Sequence, residues 1–181
     1  MIISAGRNEI FDFALPMGIG LVDMSINLTK FLCENRQSLP SEIIFVGSAG
    51  LYKEGKILKI YESRSAVNCE ISALYELSYS PISYEIIARN STNVSYETII
   101  NSSNFITTDK KSALKFFERG YFLENMEFFA VLKVAQKFQI PAYGIFCATN
   151  FCDSNAHTDF LKNHAAAKEN LTKYLKTKAL I

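Results

Sequence analysis

Apolar residues along the chain keep two rhythms. Unbroken runs such as Ile43–Val46 and Ala142–Ala148 suit strands buried on both faces. By contrast, Leu21, Val22, Ser25, Leu28, Phe31 and Leu32 keep helical spacing, which predicts a helix opening at Gly18-Ile-Gly20 and running to about Glu34. The same reading predicts strands at Ile2–Ser4, Phe11–Leu15, Ile57–Ser63, Tyr84–Ala88 and Tyr96–Ile100. It predicts helices at Lys110–Glu118, at Asn125–Phe138 (apolar nearly all round, hence buried) and at Ala156–Lys176. Strands alternating with helices point to an α/β fold with a largely parallel central sheet. No repeat, low-complexity tract or Pro/Gly-rich linker interrupts the pattern, and the polar stretch Arg89–Ser95 reads as a loop, so residues 1–181 are expected to form one domain.

Composition narrows the picture by exclusion. In 181 residues, 19 Lys and Arg against 18 Asp and Glu leave a net charge of +1, without the basic excess of a nucleic-acid binder. At 49% hydrophobic and 20% charged, the chain is too apolar for disorder. Neither a signal-peptide pattern nor an 18-residue apolar span is present, and Cys33, Cys69, Cys147 and Cys152 show no CxxC or zinc spacing. The expectation is a cytoplasmic protein with reduced thiols, no metal and no membrane partner. In that setting the five Asn-x-Ser/Thr triplets carry no meaning.

Ligands of open α/β sheets bind at the C-terminal ends of strands, so three segments come first: Met17–Gly20, Gly47–Gly50 and Thr149–Asp153. Gly18-Ile-Gly20 lacks the third glycine of a dinucleotide loop, Asp23 standing in its place, and reads either as a helix start needing small residues or as an anion or ribose edge. Gly47-Ser48-Ala49-Gly50 reads as a tight turn after a buried strand; it is no P-loop, but its small residues let a ligand approach the backbone. Glu127 opens an otherwise apolar helix. Its charge either favours the helix dipole or grips the hydroxyls of a bound sugar.

Taken together, these segments resemble the superfamily of nucleoside phosphorylases and methylthioadenosine/S-adenosylhomocysteine nucleosidases. The resemblance rests on Phe13-Ala-Leu-Pro-Met-Gly-Ile-Gly20, Ile43-Ile-Phe-Val-Gly-Ser-Ala-Gly50, Asn104-Phe-Ile-Thr107, Asn125-Met-Glu127 and Ala148-Thr-Asn-Phe-Cys-Asp153, in the family's order. It implies a three-layer fold and cleavage of a nucleoside N-glycosidic bond. By that resemblance Glu127 holds the ribose hydroxyls, Met126 packs under the sugar, Phe105 stacks on the base and the Ile106 backbone meets its edge. Ser48, Ala49 and Gly50 face the sugar or its nucleophile, and Asn150 sits at purine N7.

Departures from the family pattern shape the expected chemistry. Asn150 stands where many members have Asp; it can donate a hydrogen bond but no proton, and the Thr149-Asn150 pair resembles the trimeric purine nucleoside phosphorylases, a resemblance that implies 6-oxopurine substrates. Asn125 replaces the first Glu of a Glu-Met-Glu motif, and Phe45 stands where hexameric phosphorylases carry a phosphate-gripping Arg. Arg7, with Gly18 and Ser48, is the remaining candidate phosphate site. The leading expectation is a purine nucleoside phosphorylase-like enzyme with phosphate as co-substrate and no further cofactor. The alternatives are a hydrolytic nucleosidase and a non-catalytic nucleoside-binding protein. A homodimer, or an assembly of dimers, is expected from the family's habit of sharing active sites between subunits.

Overall fold

The computed structural model describes residues 1–88 and 94–181, so most of the Arg89–Ser95 stretch lies outside the described residues. Two long strands form its spine: β3 (Ile43–Leu51) and β9 (Ala142–Phe151) run parallel and pair along their whole length. Both outrun their apolar cores. Gly47–Gly50 and Thr149–Asn150 lie inside the strands, not in turns after them. The glycines are there for close approach. A Cβ on Gly47 would stand 3.0 Å from a Glu9 carboxylate oxygen, and one on Gly50 would stand 2.8 Å from Cys152 Sγ.

Side chains of the spine alternate between two cores, as a period of two requires. Ile43, Phe45, Phe146 and Ala148 face α1 (Gly20–Glu34) and α4 (Phe128–Phe138). Ile44, Val46, Ile145 and Cys147 face α5 (Ala156–Thr177). Helices on both faces of a sheet make three layers. A third apolar cluster, around Tyr52, Val67 and Phe116, packs α2 (Ile71–Leu74) and α3 (Lys110–Glu118) beyond the spine.

The sheet is mixed and mostly parallel: among the described residues five of eight strand pairings are parallel. On one side of the spine, β4 (Ile60–Ser63) lies antiparallel to β9. On the other, β1 (Ile2–Ser4) and β2 (Leu15–Pro16) form one wing. The second wing comprises β8 (Tyr121–Asn125), β7 (Ile99–Ser102), β5 (Ser65–Val67) and β6 (Glu85–Ile87). The predicted strand at Phe11–Leu15 shrinks to Leu15–Pro16, because Phe11 is buried against the α5 cluster instead of joining a ladder. The helix expected from Asn125 begins at Phe128. Asn125 ends β8, and its Oδ1 accepts from the Glu127 and Phe128 N–H groups at 2.8 and 2.9 Å, which turns the chain and starts α4.

One topological feature places the site. Since β9 fills one edge of β3, both wings must share the other edge. β1 pairs with its start, at Ile44 and Phe45, and β8 pairs with its end, at Gly50 and Leu51. Between them the wings part. The Ser48 backbone lies in this fork, where side chains replace the missing ladder: its N–H donates to Glu9 Oε1 at 2.7 Å, and its carbonyl accepts from Asn125 Nδ2 at 3.1 Å.

Candidate active site

A cleft of about 390 Å³ opens at this fork. Eight of the ten residues singled out from the sequence line it: Arg7, Ser48, Ala49, Gly50, Ile106, Met126, Glu127 and Asn150. Gly18 does not; it packs against Asp23 and Asn27 at the start of α1. Phe105, next to Ile106 in the chain, is 73% exposed and outside the lining.

Glu127 is held where α4 begins. Its Oε1 accepts from the Gly20 N–H at 2.9 Å, so the carboxylate caps the N-terminus of α1 as well. Among the described residues no hydrogen bond is made to Oε2. Burial, and then the neighbouring Glu9 charge, push its pKa up to about 8.

Glu9, which carried no signal in the sequence, is the other buried carboxylate at the heart of the cleft. A tight turn brings it there: the Glu9 N–H donates to the Gly6 carbonyl at 2.9 Å, and Arg7 takes a φ of 51°, unusual for a residue with a side chain. Both the N–H and the hydroxyl of Ser48 donate to Glu9 Oε1. Burial raises its pKa, and the two Ser48 donors pull it part of the way back. Behind the turn, His164 of α5 lies 2.5 Å from the Asn8 carbonyl and steadies it. Arg7 itself projects into solvent at the rim.

Asn150 reaches the cleft through a β-bulge. The β3–β9 register slips after Ala49, so that Ala49 faces Ala148 but Gly50 faces Asn150, leaving Thr149 as the extra residue. As a result Thr149 and Asn150, adjacent in sequence, both line the cleft. The Thr149 hydroxyl donates to Asn150 Oδ1 at 2.8 Å, and Asn150 Nδ2 donates to the Phe151 carbonyl at 3.1 Å. That fixes the amide with Nδ2 holding one further N–H to give. From α5, Asn163 ties down the bulge by donating to the Thr149 carbonyl at 2.8 Å. His157 and Phe160, also on α5, complete the wall.

A third carboxylate, Glu124, is buried in the wall. Glu9, Glu124 and Glu127 therefore face a cavity whose lining contains one Arg or Lys, the rim residue Arg7. Where these carboxylates are ionised, such a site attracts developing positive charge and repels anions.

No family model and no curated protein matches the chain. Solved structures do share its fold. A mutant of futalosine hydrolase from Helicobacter pylori superposes with a TM-score of 0.79, covering 97% of this chain and 95% of its own at 19% identity. An H. pylori methylthioadenosine/S-adenosylhomocysteine nucleosidase mutant with 5′-methylthioadenosine in its active site gives 0.78, again at 19% identity, over 97% and 95% of the two chains. A Borrelia burgdorferi protein assigned as the same kind of nucleosidase, bound to adenine, gives 0.76 at 20% identity over 99% of both chains. These neighbours come from the superfamily that the sequence motifs resemble. Among the described residues, no helix is long and apolar enough to cross a membrane.

Proposed function

We propose that the protein is a nucleosidase that cleaves the N-glycosidic bond of a purine nucleoside with water. The observation that carries this reading is the carboxylate-lined cleft. Glycosidic cleavage passes through an oxocarbenium-like transition state, whose positive charge Glu127 and Glu9 would stabilise. Phosphate, the nucleophile favoured by the sequence, is repelled by those same carboxylates when they are ionised, with only the exposed Arg7 to offset them. Hydrolysis, carried by the neighbours as hydrolase and nucleosidases, therefore displaces phosphorolysis as the leading reading.

In this reading Glu127 Oε2 accepts the ribose hydroxyls while Oε1 stays on Gly20. Met126 underlies the sugar, and Ser48, Ala49 and Gly50 border it. Glu9, its pKa raised by burial, takes a proton from water as the water oxygen bonds to the anomeric carbon. The C–N bond breaks toward the purine, and Asn150 Nδ2 donates to N7 as charge gathers there. Asn150 has no proton to transfer, so the leaving base takes its proton from solvent. Ready stabilisation of that base matters more as a result, which favours 6-oxopurines over 6-aminopurines.

The test is to follow free base from inosine, guanosine, adenosine and methylthioadenosine with and without phosphate. Phosphate-independent release supports hydrolysis, and release only with phosphate restores phosphorolysis. Binding of base in calorimetry with no release identifies a binding protein. Val22 and Ile26, exposed one turn apart on α1, are the proposed face of a homodimer.

A further inference from the structure

Glu124 has no part in the chemistry above, yet it is buried, lines the cleft and is the most heavily bonded carboxylate there. Its Oε1 accepts from the Thr107 N–H at 2.8 Å and faces the Cys152 thiol at 3.9 Å. Its Oε2 accepts from the Tyr52 hydroxyl at 2.9 Å and the Thr107 hydroxyl at 2.5 Å. Tyr52 is in turn fixed by Asn101, whose Nδ2 donates to its hydroxyl at 2.8 Å. Four donors fill the carboxylate, leaving no oxygen open to a ligand.

Two of those donors belong to one residue, and its position gives them meaning. Thr107 is buried, yet directly before it Phe105 and Ile106 are 73% and 51% exposed, with Ile106 on the cleft. At its other foot the same loop is held by Ser103, whose hydroxyl donates to Glu70 at 2.7 Å and accepts from the Phe105 N–H at 3.1 Å. Asn104 is held as well, its Oδ1 accepting from the Leu21 N–H at 2.9 Å. An exposed tip between anchored feet keeps a fixed backbone direction only as long as the anchors hold. Glu124 faces Gly50 across β8 and β3 and lies three residues before Glu127, so one strand end controls both the loop and the sugar grip.

We propose that Glu124, acting through Thr107, is a positioning residue that presents the Ile106 backbone to the purine edge and thereby sets affinity for the base. The inference rests on the nucleosidase reading in one respect, that the base lies against Ile106. It assigns Glu124 no contact with the reacting atoms.

Thr107→Val deletes the hydroxyl at constant shape but keeps the N–H, and Thr107→Ser keeps both donors. Thr107→Val is expected to raise KM for the nucleoside about tenfold with kcat within about twofold, the pattern of lost uniform binding. Affinity for free purine base, read by calorimetry, should fall in parallel, and Thr107→Ser should restore both. A merely structural role would lower Tm and the active fraction without moving KM, and that result overturns the proposal. So does a fall in kcat at unchanged KM, which would put Glu124 in the chemistry. If wild-type protein cleaves nucleosides and Thr107→Val matches its KM, the positioning role fails while the nucleosidase stands. If wild-type protein cleaves nothing but binds purine, and Thr107→Val weakens that binding, the nucleosidase reading fails while the positioning role stands. Wild-type protein that neither cleaves nor binds overturns both.

Discussion

Glu127 and Asn150 divide the proposed chemistry between a group that titrates and one that does not. An ordinary glutamate has a pKa near 4.5; folding moves Glu127 to about 8, so the native state binds its proton more tightly than the unfolded chain. Stability of the ligand-free protein should accordingly fall as pH rises from about 4.5 to about 8. Glu9 and Glu124 are raised by burial too and act with the same sign. Thermal melts between pH 5 and 8.5 should show Tm declining in the wild type and a flatter profile in Glu127→Gln. Its amide can still accept from Gly20, but it carries no proton equilibrium. If, as proposed, an ionised Glu127 accepts both ribose hydroxyls, kcat/KM should climb toward alkaline pH. In Glu127→Gln it should drop at least about tenfold and lose that climb. Unchanged kinetics would remove Glu127 from the site. Asn150→Asp is the complementary experiment. It installs a proton donor at N7, so release of 6-aminopurines should rise relative to 6-oxopurines, with a descending alkaline limb that the wild type lacks. A base preference indifferent to this change would show that residue 150 does not face the purine.

At the scale of elements, the cleft exists because β3 changes partner and β9 bulges. Gly50 joins the two: a Cβ there would stand 3.0 Å from Asn150 Nδ2 and 2.8 Å from Cys152 Sγ. Gly50→Ala should therefore push Asn150 off its line and lower kcat/KM about tenfold, with unfolding free energy down by the cost of a crowded strand, about 1–3 kcal/mol. Full activity in that variant would mean that Asn150 can shift freely. These devices explain what could be read from the chain. The runs Ile43–Val46 and Ala142–Ala148 announced the spine, and Lys110–Glu118 emerged as a helix with those bounds, because burial on both faces and helical spacing leave a strong pattern. The strand Tyr121–Asn125 has no counterpart among the predicted elements, which place only a helix from Asn125, since an apolar strand running directly into an apolar helix shows no change of period until Asn125 caps it. β5 and α2 are three and four residues long, too short for any period to register. Gly47–Gly50 suggested a turn because small residues make turns and close contacts alike, and only the arrival of Glu9 and Cys152 decides which. Glu9 itself sits in a polar turn, where nothing local marks a carboxylate that tertiary structure will bury.

At the scale of the whole molecule, near-neutral charge hides a local imbalance. Among the described residues the cleft gathers three carboxylates against a single Arg at its rim, and that imbalance suits a small neutral nucleoside better than phosphate. The mouth of the cleft also sets the proposed assembly. Val22 is 60% and Ile26 59% exposed on the outer side of α1, and Asn104, bonded to the Leu21 N–H, brings the 73% exposed Phe105 to the same end of that helix. Burying each such side chain is worth roughly 1.5–3 kcal/mol, enough for a few of them to hold a two-fold contact together. A dimer formed through this face would close over the base loop, so association and catalysis should be linked. The double variant Val22→Asp, Ile26→Asp places two charges in that contact without touching the cleft lining. Light scattering should report a monomer where the wild type is a dimer, with Tm little changed if the charges stay in water. In the monomer KM should rise several-fold and become dependent on protein concentration near the dimer dissociation constant. A dimer that survives both aspartates would place the interface elsewhere. A monomer with wild-type KM would show that each cleft is complete within its own chain.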